Sequence, residues 1–239
     1  DGQTTATATG LAPGSYTVIL TDDNGCTFTT TPAVTITEPT VLTATATKVQ
    51  DVTCNGDADG SITVVGTGGT AAVDYSYLWS DGQTTATATG LAPGSYTVTL
   101  TDDNGCTFTT TPAVTITEPA VLTATATKVQ DVTCNGDADG SITVVGTGGT
   151  AAVDYSYLWS DGQTTATATG LAPGSYTVIL TDDNGCTFTT TPAVTITEPT
   201  VLTATATKVQ DVTCNGDADG SITVVGTGGT AAVDYSYLW

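Results

Sequence analysis

Residues 95–106, SYTVTLTDDNGC, carry the two signals that decide the fold of this chain. From Ser95 to Thr101, hydroxyl side chains alternate with apolar or aromatic ones. This alternation is typical of a half-buried β-strand, whose side chains point to opposite faces in turn. The following Asn104-Gly105 supplies the positive φ that a tight turn requires. The stretch therefore predicts a strand, Tyr96–Thr101, that is followed by a turn and has Thr99 on its outward face.

The same pattern continues on both sides of this stretch. Threonine fills 20 of the 80 positions from 41 to 120, and its β-branched side chain favours strands over helices. Turn residues recur about every 8–12 positions, which is typical of an all-β sandwich or barrel. Six further strands are predicted: Leu42–Lys48, Ser61–Val65, Tyr75–Trp79, Thr84–Thr89, Cys106–Thr110 and Ala113–Thr117.

The chain is a tandem repeat. The stretch DGQTTATATGLAPGSYTV begins at residues 1, 81 and 161, which gives a period of 80 residues. The copies differ at two places, with Ile19, Thr99 and Ile179 at one and Thr40, Ala120 and Thr200 at the other. Because any site would occur in every copy, a single catalytic centre is not expected.

The domain boundaries are predicted from Thr117-Glu118-Pro119. Proline restricts the residue before it and cannot donate a hydrogen bond to a sheet, so strands tend to stop there. We therefore place complete domains at 40–119 and 120–199. On this frame, residues 1–39 are the C-terminal half of one domain and residues 200–239 the N-terminal half of another.

The charge balance excludes several classes of partner. The chain has 24 acidic and 3 basic side chains, no histidine and a formal net charge of −21. Binding to a phosphate backbone requires clustered Lys and Arg, so neither nucleic acid nor an anionic membrane is an expected partner. No apolar run approaches the roughly 18 residues that would span a bilayer, and membrane insertion is not expected.

Each repeat contains two cysteines, and the six lie at positions 26, 54, 106, 134, 186 and 214. Two ways of pairing them are open, and the choice depends on the domain frame. With domains at 40–119 and 120–199, the pairs are Cys54–Cys106 and Cys134–Cys186, each worth about 4 kcal/mol on the chain-entropy model. Zinc binding is the alternative interpretation of the paired cysteines, but the chain has no histidine and no CxxC motif. Disulfides imply an oxidising, extracytoplasmic setting.

A set of motifs recurs in every copy. In the central one it comprises Cys54-Asn55-Gly56, Asp59-Gly60-Ser61-Ile62, Gly68-Gly69, the segment from Tyr75 to Gly82, the segment from Leu91 to Val98, and the segment from Thr101 to Cys106. As a set, these motifs resemble the SprB repeat. The resemblance implies tandem immunoglobulin-like β-sandwich domains of about 80 residues forming an elongated rod. It also implies a long surface adhesin of gliding Bacteroidota, exported by the type IX secretion system and located at the extracellular cell surface.

The only cofactor that the residues indicate is calcium. Asn55, Asp57 and Asp59 place oxygen-bearing side chains at alternate positions before a glycine, as at the start of a calcium loop, and Asp102 and Asp103 are candidates for further ligands. The twelfth loop position is Gly66 rather than a bidentate Glu, so the EF-hand pattern fails beyond its first half. The alternative is that these residues form plain turns.

An aromatic ligand platform is the second candidate site. Tyr75, Tyr77 and Trp79 alternate along one predicted strand and therefore share a face, on which sugar rings could stack. The alternative is that this face lies in the core, because small sandwiches commonly bury a Trp on a central strand.

Two functions fit these observations, and neither is enzymatic. Nucleophilic triads need a base such as histidine, and the chain has none. The first function is a structural stalk or filament segment of a secreted cell-surface adhesin. The second is a weak glycan- or surface-binding module in each repeat, acting by avidity. The expected partners are neighbouring repeats or copies of the same chain in a fibre, and surface polysaccharide in the second case. Segments 200–239 and 1–39 together lack one serine of a full domain, so the chain is expected to be part of a longer fibre or to complete its domains with successive copies.

Overall fold

The structure is a computed structural model, and it describes residues 2–70, 74–150, 154–230 and 234–239. Within these residues every regular element is a β-strand, which confirms the all-β prediction. Across the same residues, no helix has the length and apolarity needed to cross a membrane.

The strands follow the 80-residue period. Residues 1–39 contribute β1 (Gly14–Tyr16), β2 (Ile19–Thr21), β3 (Thr27–Thr29) and β4 (Val34–Ile36). The next copy contributes β5 (Thr40–Gln50), β6 (Gly60–Gly69), β7 (Ser76–Trp79), β8 (Thr87–Leu91), β9 (Gly94–Tyr96), β10 (Val98–Thr101), β11 (Thr107–Thr109) and β12 (Val114–Ile116). The third set is β13 (Ala120–Gln130), β14 (Gly140–Gly149), β15 (Ser156–Trp159), β16 (Thr167–Leu171), β17 (Gly174–Tyr176), β18 (Val178–Thr181), β19 (Thr187–Thr189) and β20 (Val194–Ile196). The chain ends with β21 (Thr200–Gln210) and β22 (Ser221–Gly229).

Each complete set of eight strands forms the same antiparallel sheets. In the first set, β5, β6 and β8 form one sheet, β7, β10 and β11 a second, and β9 pairs with β12. The second set repeats this arrangement. One sheet contains β13, β14 and β16, a second contains β15, β18 and β19, and β17 pairs with β20. The layers are compatible with a β-sandwich.

The cores contain the apolar residues that alternate with threonine in the sequence. The core cluster of the second set draws on both three-stranded sheets, on β20 and on the loop after β13: Val132, Ile142, Val144, Trp159, Ala168, Leu171, Val178 and Ile196. The first set buries Leu42, Ile62, Val64, Trp79, Ala88, Leu91, Val98, Leu100 and Ile116. On β10, Val98 and Leu100 are buried and Thr99 between them is half-exposed, as the alternation predicts.

The stretch predicted as one strand, Tyr96–Thr101, is two strands in the structure. β9 pairs with β12, whereas β10 pairs with β7 and β11. The chain changes sheet at Thr97, whose carbonyl accepts a hydrogen bond from the Ser80 amide at 2.9 Å. The hydroxyl of Tyr96 donates to the Ala92 carbonyl at 2.9 Å and anchors the turn before β9.

Gly68-Gly69 at the end of β6 is required for a close approach of backbone. Both residues have positive φ, of 83° and 72°. A Cβ at Gly68 would lie 2.0 Å from the Val41 carbonyl oxygen, and one at Gly69 would lie 2.7 Å from Oδ2 of Asp102. Neither position at this end of β6 therefore admits a side chain.

The chain divides into two compact units. Unit 1 contains Asp1–Asp51 and Asp59–Ile116, and unit 2 contains Val52–Ala58 and Thr117–Trp239. The loop Val52–Ala58, between β5 and β6 in sequence, is thus part of unit 2.

Candidate functional site

The candidate site is centred on a disulfide bond in unit 2. Cys54 and Cys186 are bonded, with their Cα atoms 5.7 Å apart and 132 residues between them in sequence. This corrects the predicted pairs Cys54–Cys106 and Cys134–Cys186. Cys106 and Cys134 carry exposed free thiols, as do Cys26 and Cys214.

The position of the loop Val52–Ala58 explains the correction. Its backbone and side chains bind the Thr-Glu-Pro segment that precedes β13. The amide of Val52 donates to the Thr117 carbonyl at 3.0 Å. The side chain of Asn55 donates to the Pro119 carbonyl at 2.9 Å. These bonds hold Cys54 in unit 2, where Cys186 is the cysteine that it reaches.

We call the contact between the loop Val52–Ala58 and the segment Thr117–Pro119 the junction. Two further contacts complete it. The amide of Gly56 donates to Oε2 of Glu118 at 2.8 Å, which gives this carboxylate a charge-assisted partner. From the other side, the side-chain amide of Asn184 donates to the Thr53 carbonyl at 3.2 Å. The disulfide is therefore flanked by hydrogen bonds on both of its chain segments.

The turn that presents Cys186 is fixed by Asp182. One oxygen of this buried carboxylate accepts the amides of Asn184 and Cys186 at 3.1 and 2.9 Å. The other accepts the amide and the hydroxyl of Thr150 at 3.0 and 3.1 Å. Burial raises the pKa of Asp182, but the hydrogen bonds from Thr150 and Cys186 outweigh it, so the net pKa lies below the ordinary value. The turn is thus built around an ionised carboxylate.

The next loop along the chain, Val132–Ala138, makes the same contacts with the next Thr-Glu-Pro segment. Val132 donates to the Thr197 carbonyl at 3.0 Å, Asn135 to the Pro199 carbonyl at 3.0 Å, and Gly136 to Glu198 at 2.9 Å. The junction is therefore a feature of the repeat, although the disulfide is formed only at the first one.

Asp131, directly before this second loop, links it to the Thr-Glu-Pro segment that begins at Thr197. Its carboxylate accepts the Lys128 ammonium at 2.7 Å and the Thr197 amide at 2.8 Å. The Lys128 hydrogen bond, followed by that of Thr197, lowers the pKa of Asp131.

The residues of the predicted calcium site are divided between the two units, and Asn55 and Asp102 have other partners. Asn55 and Asp57 belong to unit 2, and Asp59, Asp102 and Asp103 to unit 1. Asp102 binds the backbone of its own turn and the amide and hydroxyl of Thr70. Among the described residues, no group of three or more Asp, Glu, Cys or His side chains is placed to hold a metal ion. Asp57 lines an open cleft of ≈ 420 Å³ beside the disulfide, together with Asn55, Val121 and Leu122.

The aromatic face of the predicted platform is turned inward. Trp79 is 2% exposed, and its indole N–H donates to the Thr85 carbonyl at 2.8 Å. Tyr75 is half-buried and donates to the Gly68 carbonyl at 2.9 Å. Tyr77 is half-buried as well, and its counterpart Tyr157 packs against the core cluster of unit 2. Trp79 therefore offers no open face on which a sugar ring could stack, which corrects the platform as predicted.

Three residues of the junction were missed at the level of sequence: Glu118, Asp182 and Asn184. The sequence predicts Glu118 only as part of a domain boundary, and the Asp-Asp-Asn-Gly segment only as a turn or a source of calcium ligands. The signal available was their fixed spacing from the cysteines, since Asp182 and Asn184 lie four and two residues before Cys186 in every copy of the turn.

Comparison with known proteins finds one family that the repeat resembles. The sequence model of the SprB repeat matches residues 46–84, 126–164 and 206–239, which confirms the predicted resemblance. Among curated proteins, no match was found. One similar solved structure is described as a "tetra-tandem repeat in extending region of large adhesion protein". It shares 19% identity, with 92% of this chain and 71% of that chain covered, at a TM-score of 0.25.

Proposed function

Because three segments of this chain match the sequence model of the SprB repeat, we propose that the chain is a structural stalk or filament segment of a secreted adhesin at the extracellular cell surface. In this proposal the repeats act as spacers, and the parent protein resembles the gliding adhesin that names the family, exported by type IX secretion. The role requires no catalysis and no cofactor.

The observation that carries the proposal is the repeated junction. In each of the two complete repeats, the loop that follows the first strand makes the same three hydrogen bonds with the Thr-Glu-Pro segment at the end of that repeat. Repeats that are each closed by an identical set of contacts are what a spacer needs, because further copies can be added without limit. We propose complete domains at 40–119 and 120–199, with neighbouring repeats or further copies of the chain as partners.

The chemistry of the surface supports the same role. The largest buried side chains of the complete repeats are Trp, Ile, Leu and Val in the cores, and on β10 the threonines face outward. The formal net charge of −21 keeps neighbouring chains apart at short range, within a Debye length of about 8 Å at physiological salt.

Electron microscopy of chains with two, three and six repeats tests the proposal. A spacer gives threads whose contour length grows by a constant increment for each added repeat. Compact particles whose diameter grows with the cube root of mass would contradict it.

The alternative function, a weak glycan- or surface-binding module in each repeat, is separated by a binding measurement. Immobilised polysaccharides are offered to the same three chains. A spacer gives no saturable binding at any copy number, whereas a binding module gives an apparent affinity that rises steeply with copy number through avidity.

A further inference from the structure

The bonded pair defines a rule of register between repeats. We call Cys54, Cys134 and Cys214 the early cysteines, and Cys26, Cys106 and Cys186 the late ones. Cys54 does not bond the late cysteine of its own repeat, Cys106, but the one that lies a full period further on, Cys186. The separation of 132 residues occurs at no other pair of cysteines in the chain.

The early cysteines are presented in the same way at successive junctions. The loop Val132–Ala138 is held by Thr197, Glu198 and Pro199 through the same hydrogen bonds that hold Val52–Ala58. Cys134 lies in this loop as an exposed thiol. It therefore occupies the place that Cys54 occupies in its bonded state.

The late cysteines also share one presentation. The amide of Cys186 donates to Oδ1 of Asp182 at 2.9 Å, and those of Cys106 and Cys26 donate to Asp102 and Asp22 at 2.8 Å each. This turn is formed whether the cysteine is bonded or free. No rearrangement of the turn is needed before a late cysteine can pair.

We propose that the disulfide is a property of the array: the early cysteine of each SprB repeat bonds the late cysteine of the following repeat. Each free thiol of this chain is then one half of a bond to another repeat of the same sequence. A series of full repeats carries one such bond for every neighbouring pair, and none within a repeat.

The bond forms by oxidation of two thiols. The early and the late thiol together lose two protons and two electrons, and a disulfide oxidant accepts them. With oxidised glutathione, its S–S bond breaks, two glutathione thiols leave, and the new S–S bond joins the two repeats.

Trypsin makes the rule testable, because the three lysines divide the chain once per period. Cleavage after Lys48, Lys128 and Lys208 gives peptides 49–128 and 129–208, which differ in mass through Thr99 against Ile179 and Ala120 against Thr200. The full chain is treated with oxidised glutathione, alkylated, unfolded and digested without reduction. We expect peptide 49–128 linked to peptide 129–208, and four alkylated thiols. A closed ring inside peptide 49–128 would instead show Cys54–Cys106 and overturn the proposal.

Matched serine variants identify the atoms of the link. Cys54→Ser and Cys186→Ser should each abolish the linked species, whereas Cys106→Ser and Cys134→Ser should leave it intact. The second pair is the necessary control, since a Cys106–Cys134 bond would join the same two peptides. Loss of the link in either control variant overturns the proposal.

A longer chain tests whether the rule continues. One further copy of residues 160–239 is appended, which supplies a late cysteine at the required spacing from Cys134. We expect three successive tryptic peptides in one covalent species instead of two, and a return to two in the Cys134→Ser variant of the longer chain. If Cys134 stays alkylated in the longer chain, the bond at Cys54 is a local event and the rule fails.

Discussion

The central copy of the repeat and the N- and C-terminal segments contain the same residues in opposite surroundings. Leu100 is 0% exposed, whereas Leu20, the same residue one period earlier, is 69% exposed. Trp79 is 2% exposed and Trp239, two periods later, 79%. One local hairpin is present in both settings, since β2 pairs with β3 as β10 pairs with β11. The difference shows that the hairpins depend on local sequence, while burial requires the strands of both halves of a repeat.

The largest expected contrast is between Trp79→Ala and Trp239→Ala. Removing the buried indole leaves a large cavity and should lower the free energy of unfolding by about 3–5 kcal/mol. Removing the exposed one should change it by less than about 0.5 kcal/mol. Urea denaturation of the full chain, followed by circular dichroism, measures both. Equal effects would mean that Trp239 is also packed in solution.

The next contrast is between Asp102→Asn and Asp22→Asn. Both carboxylates accept the amides of their own turn, but Asp102 also accepts the amide and hydroxyl of Thr70. The Thr70 amide, followed by that of Cys106, lowers the pKa of Asp102 although burial opposes this. The stabilisation by Asp102 is therefore present above the unfolded pKa, near 3.9, and is lost as the pH falls through the lower folded value.

Denaturation at a series of pH values checks this sign. The stability of the unmodified chain should fall between about pH 5 and pH 2. Asp102→Asn should lower the stability at neutral pH and flatten that fall, whereas Asp22→Asn should leave both unchanged. An unaltered pH profile in Asp102→Asn would contradict the role assigned to Thr70.

A smaller contrast is expected between Glu118→Ala and Glu38→Ala. Glu118 accepts the Gly56 amide at 2.8 Å, and its loss should cost below about 1 kcal/mol because the pair is exposed. Glu38→Ala removes the same side chain one period earlier and should have no measurable effect. Glu118→Ala should also slow oxidation of Cys54 with Cys186, which timed alkylation measures. Oxidation at an unchanged rate would show that this hydrogen bond does not position the loop.

The smallest expected effect is that of calcium. Asp102 is already satisfied by protein donors, so we expect equal thermal midpoints in excess chelator and in millimolar calcium. Asp57→Asn should be silent in both conditions. A rise of the midpoint with calcium that is lost in Asp57→Asn would establish a site, because a ligand of the folded state stabilises it by mass action.

The sequence predicts where the strands lie better than it predicts which strands pair with one another. The alternation around Val98 and Leu100 located the strand and its buried face. The change of sheet at Thr97 was missed, because it depends on which distant strand pairs with each half of the segment. The site was missed for a different reason. Cys106 and Cys186 lie in the same sequence context, so no local pattern can tell which of them Cys54 reaches; only the packing of the loop Val52–Ala58 in unit 2 decides it.

The disulfide also determines which part of the chain would bear a mechanical force applied at its two ends. Tension applied at the two ends reaches Cys54, crosses the S–S bond to Cys186 and continues, so the backbone between these cysteines bears none of it. With a separation of 132 residues and about 3.4 Å per extended residue, the bond withholds roughly 450 Å of slack. Reduction would release that length as these strands unfold. In a long array the redox state of the surroundings would then set how far each thread can stretch before it must break a covalent bond.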